Sequence, residues 1–197
     1  MSGRLTVITG PMGCGKTQEL LRIVKEYERK YGKQSVMLFK HEIDSRDGSN
    51  ISKSRNGVSY PAVSVKNSSE LLAYTQVSSW PIKLVAIEEG QFFDDIFPYI
   101  VQRLVEKEGY DVVITGLNQS YTGEAFGQMK WLLAESDGII YLPATCTVCG
   151  SSASKTQKLV NGKPSDLKGN LVVIDKTDET VTYEPRCRDC WVSPHMV

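Results

Sequence analysis

The chain has 197 residues, 41% of them hydrophobic, which is enough for one sizeable core with a small satellite and excludes two large domains. Lysine plus arginine and aspartate plus glutamate both number 23, so the formal charge is zero and no basic excess announces a nucleic-acid or anionic-membrane partner. Residues 1–10 lack the charged, apolar and small-residue order of a secretory signal, and no apolar run approaches the roughly 20 residues of a bilayer span, so the expected location is the cytoplasm, with reduced cysteines.

Through residue 143, short β-rich runs alternate with amphipathic helical patterns, the signature of an α/β fold with a parallel sheet flanked by helices. Strands are predicted at 5–9, 35–40, 82–88, 110–115 and 138–142. After the first, Gly10-Pro11-Met12-Gly13-Cys14-Gly15-Lys16-Thr17 fits GxxxxGK[ST], and a helical pattern follows at once. In such a phosphate loop the glycines let backbone N–H groups curl around the phosphates, Lys16 reaches the β and γ oxygens, and the Thr17 hydroxyl is set to ligate Mg²⁺ at a helix N-terminus. Cys14 reads as a small filler of the loop, with thiol activation by Lys16 as the alternative.

Leu20, Val24, Tyr27 and Tyr31 recur at helical spacing, and Gly32 stands where the helix should stop. Residues 41–59 are polar and aperiodic, which predicts a long loop. The run at 82–88 ends in Glu88-Glu89, and in a P-loop fold an acidic strand end aims carboxylates at metal and phosphates; a plain surface acid pair is the competing reading.

From residue 144 the texture changes to paired cysteines, Gly and Pro turns, and alternating runs at 171–174 and 180–183, which predicts a small β-rich appendage. Cys146-Thr147-Val148-Cys149 and Cys187-Arg188-Asp189-Cys190 are two CxxC pairs whose four thiolates can enclose a tetrahedral structural Zn²⁺; redox chemistry is the alternative. The expected division is a nucleotide-binding core at 1–143, a zinc-bearing segment at 144–191 and a tail at 192–197.

Taken in order, the GPMGCGKT loop, Asp44-Ser45-Arg46, Glu88-Glu89-Gly90-Gln91-Phe92-Phe93, Gly116-Leu117-Asn118-Gln119-Ser120-Tyr121, Phe126-Gly127 and the two CxxC pairs resemble the cytosolic and bacterial, type II, thymidine kinases. The resemblance implies transfer of the γ-phosphoryl group of ATP to the 5′-hydroxyl of thymidine, with deoxyuridine as a further acceptor, in pyrimidine deoxynucleotide salvage. It implies that Glu89 is the general base, that Arg46 offsets charge on the transferring group, that Asp44 orients that arginine or contacts Mg²⁺, and that Glu88 and Gln91 serve the nucleotide and its Mg²⁺. Glu88 stands where this family usually has Asp.

The resemblance also places Met12, Phe92, Leu117 and Tyr121 around the thymine ring, Tyr121 standing where Phe is usual. It makes the segment between the CxxC pairs a lasso over the nucleoside, with Thr156, Val172, Val173, Ile174, Asp175 and Tyr183 contributing. Where the family often carries Gly-Gly, this chain reads Ile174-Asp175. A homotetramer and feedback inhibition by thymidine triphosphate are implied in the same way.

Two other readings compete. A zinc-containing P-loop ATPase acting on nucleic acid fits the phosphate loop and the cysteines, yet leaves the 89–92 and 121–127 segments and the neutral charge unexplained. A kinase for another small acceptor keeps the mechanism and changes only the pocket.

Overall fold

The computed structural model describes residues 2–44, 51–53, 56–78, 81–166 and 180–196. Its order is β1 (Leu5–Thr9), α1 (Lys16–Tyr31), β2 (Val36–His41), β3 (Ile51–Lys53), β4 (Ser59–Pro61), β5 (Val63–Val65), α2 (Ser68–Gln76), β6 (Leu84–Glu88), α3 (Phe97–Glu106), β7 (Asp111–Gly116), α4 (Met129–Glu135) and β8 (Gly138–Tyr141). A second set follows: β9 (Ala144–Thr145), β10 (Ser152–Ala153), β11 (Lys155–Val160), β12 (Lys163–Pro164) and β13 (Val181–Arg186).

Six strands form one sheet in the order β5-β2-β6-β7-β1-β8, and every pairing within it is parallel. The five runs predicted as strands are its β1, β2, β6, β7 and β8, with ends displaced by at most two residues. Every residue of β6 is buried, as expected of a central parallel strand covered on both faces.

The period of two then sorts its side chains. Val85 and Ile87 join the core that contains Phe97, Val101, Leu104 and Leu132 from α3 and α4, while Leu84 and Ala86 join the opposite core with Leu20, Leu21 and Val24 of α1. Glu88, two residues beyond Ala86, therefore falls on the face that carries α1.

Helix α1 starts directly from the phosphate loop and ends at Gly32, whose φ of 92° lets its N–H turn back to the Glu28 carbonyl at 2.8 Å. The predicted loop over 41–59 is only partly one. His41 completes β2, and β3 pairs antiparallel with β4 through Ile51–Pro61, Ser52–Tyr60 and Lys53–Ser59. Polar composition hid this hairpin, because among its strand residues only Ser52 is fully buried and the hydrophobic alternation is lost.

Beyond the large sheet, β9 pairs with β10, and β11 lies between β12 and β13, all antiparallel. The run predicted at 180–183 forms part of β13, whereas the run at 171–174 lies outside the described residues. No helix among the described residues is long and apolar enough to cross a membrane.

Candidate active site

The carboxyl ends of β1, β6 and β7 converge, and each hands the chain to a segment carrying chemistry-bearing residues: 10–17, 88–92 and 116–127. A parallel sheet gathers such loops at one edge, which is where α/β folds bind ligands.

The phosphate loop leaves β1 at Gly10. A Cβ there would lie 2.1 Å from the Leu142 carbonyl oxygen, and φ is 145°, so only glycine passes this close to the chain leaving β8. Lys16 is buried, and its Nζ donates to the carbonyl oxygens of Gly10 at 3.2 Å and Pro11 at 2.9 Å, with Cys14 Sγ at 3.6 Å. The backbone N–H of Met12 donates to Thr156 Oγ1 at 3.1 Å, so β11 is docked directly on this loop.

Glu88 is 4% exposed and lies beside Thr17, as its strand phase requires. Burial pushes its carboxyl above the ordinary range, the Ser52 and Thr17 hydroxyls beside it oppose this, and the neighbouring Glu89 and Asp44 charges reinforce it. Asp44 is likewise buried. The buried Glu88 carboxyl thus has oxygens of Thr17 and Asp44 in its surroundings, and hard oxygen donors of this kind could hold Mg²⁺.

Glu89 is half-buried and sits in the left-handed region, φ 53° and ψ 49°, which is uncommon for a residue with a long side chain. The turn reverses the chain off the end of β6 and lets its carboxylate accept from Gln91 Nε2. Gln91 Oε1 in turn accepts from the Leu117 N–H at 3.0 Å.

The segment after β7 folds over this turn. Gly127 has φ 53°, and a Cβ on it would stand 2.2 Å from the Gln91 carbonyl oxygen, so the loop passes in backbone contact with residue 91. Phe126 meets Phe92 edge-on, with centroids 5.9 Å apart at 88°. Leu117 and Tyr121 are buried, and Lys158 of β11 holds its ammonium 4.8 Å from the centre of the Tyr121 ring. Burial, then the Asp166 charge, pushes the Tyr121 hydroxyl up.

Of the residues the sequence singled out, the phosphate loop, Asp44, Glu88, Glu89, Gln91, Phe92, Leu117, Tyr121, Thr156 and Tyr183 are described; Tyr183 lies on β13 opposite Lys158. Arg46, Val172, Val173, Ile174 and Asp175 lie outside the described residues. Sequence reasoning quoted Phe126 within a motif but gave it no contact, and it missed Lys158 and the contacts of its neighbour Lys155 in this region. Lys155 donates from Nζ to Gln119 Oε1 at 2.8 Å and lies 5.1 Å from the centre of the Trp191 ring, tying the 117–127 segment to the cysteine module. A lysine on a short polar strand carries no local signal of such a contact.

The four cysteines do meet. The 146–149 turn joins β9 to β10, the 187–190 turn follows β13, and the four Sγ atoms all lie within 4.8 Å of one another. Thiolates bonded tetrahedrally at about 2.3 Å sit at comparable separations, so the set fits a structural Zn²⁺. Burial opposes ionisation of Cys146, yet backbone N–H groups of residues 187, 149 and 148 bring it to about 6, while hydrogen bonding to Cys187 and Cys149 drives Cys190 up to about 12. Thiolates this close ionise together only around a cation. Cys14 stands apart in the phosphate loop.

Among solved structures, the ATPase DotB of Legionella pneumophila is 15% identical with a TM-score of 0.47, over 77% of this chain and 44% of its own, so the chain spans less than half the length of that protein. The sequence model described as thymidine kinase matches residues 3–191, a stretch that takes in the phosphate loop, the Glu88-Glu89 strand end and all four clustered cysteines, and the chain therefore belongs to the thymidine kinase family.

Proposed function

We propose that the protein transfers the γ-phosphoryl group of ATP to the 5′-hydroxyl of thymidine, giving dTMP for pyrimidine deoxynucleotide salvage, with deoxyuridine as the nearest alternative acceptor. The observation that carries this reading is that the end of β6 joins two different walls: Glu88 lies beside Thr17 of the phosphate loop, and Glu89 is bonded to Gln91, which the segment with the aromatic and aliphatic group Leu117, Tyr121 and Phe126 crosses next to Phe92. One wall suits phosphates and the other a flat base.

The acceptor oxygen forms a bond to the γ phosphorus, the bond to the β,γ-bridging oxygen breaks with its electron pair leaving on ADP, and the 5′-hydroxyl proton passes to the Glu89 carboxylate. Loop N–H groups of residues 10–17 and the Lys16 ammonium hold the phosphates, while Arg46 is assigned to the charge on the group in flight. Thr17, Glu88 and Asp44 would hold Mg²⁺, which supplies charge neutralisation on the β and γ oxygens.

Residues 1–143 are assigned as the kinase core and 144–191 as the zinc-anchored lasso, in which Thr156, 172–175 and Tyr183 contact the nucleoside. Family membership supports a soluble cytoplasmic homotetramer inhibited by thymidine triphosphate. Assay of each natural nucleoside with ATP and Mg²⁺ tests the reading. Thymidine should be phosphorylated fastest; ATP hydrolysis stimulated by single-stranded DNA, with no nucleoside consumed, would overturn it in favour of a nucleic-acid-dependent ATPase.

A further inference from the structure

Resting on the general-base reading of Glu89, we propose that Gln91 is the positioning residue of the reaction: its side-chain amide, fixed by the Leu117 backbone N–H, holds the Glu89 carboxylate toward the acceptor hydroxyl. Three features support this.

The first is the chemistry of the two contacts. Gln91 Nε2 donates to Glu89 Oε2, and Gln91 Oε1 accepts from the Leu117 N–H at 3.0 Å. A rotated amide would set its NH₂ against the Leu117 N–H and its oxygen against a carboxylate, so only this orientation satisfies both neighbours.

The second is enclosure. Gln91 is 4% exposed, a Cβ on Gly116 would fall 2.8 Å from its Oε1, and a Cβ on Gly127 would fall 2.2 Å from its backbone oxygen. The slot is closed by two glycines, and the amide has little room to swing.

The third is the backbone of Glu89, held at φ 53° and ψ 49°. A sparsely populated backbone conformation persists where its surroundings fix it, and the Gln91 amide, two positions later, bonds the carboxylate that this turn presents. Because the anchor of that hold is the N–H of Leu117, the wall of the base pocket and the aim of the base become one mechanical unit. A nucleoside seated against Leu117 thereby finds the carboxylate already directed.

Gln91→Met removes both hydrogen bonds at similar volume, whereas Gln91→Glu retains the acceptor for Leu117 and presents Glu89 with a second acceptor and a like charge. We expect both variants to lose about 10–100-fold in kcat while the KM for thymidine stays within about threefold. On a Glu89→Gln background, Gln91→Met should cost no more than about twofold further, since a residue acting through Glu89 has nothing left to aim. ATP binding and thermal unfolding check that each variant is folded.

Near-native kcat in Gln91→Glu would mean that the Leu117 tether alone matters and would overturn the proposal. The same holds if Gln91→Met costs as much without the Glu89 carboxylate as with it. Native kcat in Glu89→Gln alone would remove the general-base reading itself, a failure distinguishable from an impaired Glu89→Gln beside an active Gln91→Met.

Discussion

Glu88 and Glu89 are adjacent carboxylates whose surroundings assign them different work. Strand phase sends Glu88 inward beside Thr17, and the left-handed turn swings Glu89 toward Gln91. Glu89→Gln is expected to lower kcat by about 10²–10⁴-fold with thymidine affinity nearly unchanged, measured by steady-state rates and nucleoside titration. For Glu88 the expected signature is in stability. Burial raises its folded carboxyl above the ordinary value of 4.5, so the folded state binds the proton more tightly than the unfolded chain. That contribution is present below pH about 4.5 and lost as pH rises through the shifted value. Glu88→Gln should therefore unfold at a higher temperature than the native protein at pH 7 without metal, and the gain should vanish near pH 4, in parallel thermal melts. The acid pair itself is legible in the sequence. Its split into two roles is not, because the phase of β6 against α1 and the turn at residue 89 are properties of the packed sheet.

At the scale of elements, the phosphate loop is held from two sides: Gly10 against the chain leaving β8, and Met12 against Thr156 of β11. Thr156→Val keeps the shape and deletes the acceptor for the Met12 N–H. A loss of about 1 kcal/mol in unfolding free energy is expected, together with a rise in the KM for thymidine larger than that for ATP. Denaturant titration and two-substrate kinetics read the two effects. Strand β1 and helix α1 are plain in the sequence because one is a short β-branched run and the other repeats its apolar residues at a period of 3.6. The β3–β4 hairpin escaped notice because strands without a buried alternation leave no period to read. The closeness of β11 to the phosphate loop, across 144 residues of chain from Met12 to Thr156, follows only from where the sheet delivers them.

For the whole molecule, the cysteine module and the kinase core are joined through Thr156 on Met12, Lys155 on Gln119 and Lys158 on Tyr121. If Zn²⁺ sets the geometry of this module, its loss should reach the nucleoside wall before the phosphate loop. Cys187→Ser together with Cys190→Ser is expected to abolish stoichiometric zinc and weaken thymidine binding at least tenfold, with ATP affinity changed little, whereas Cys14→Ser keeps the metal. Metal analysis and separate calorimetric titrations of each ligand decide this; normal thymidine binding in folded zinc-free protein would deny the module its part in the nucleoside site. The sequence alone determined the phosphate loop, the acidic strand end and the two cysteine pairs, because each is a contiguous motif whose chemistry depends on spacing within a few residues. Tertiary structure alone decided that Gln91 ties Glu89 to Leu117, that Glu88 shares the α1 face with Thr17, and that lysines of β11 reach the 117–127 segment. Those contacts join residues far apart in the chain, and only the order and register of the strands bring them within hydrogen-bonding or ring-contact reach.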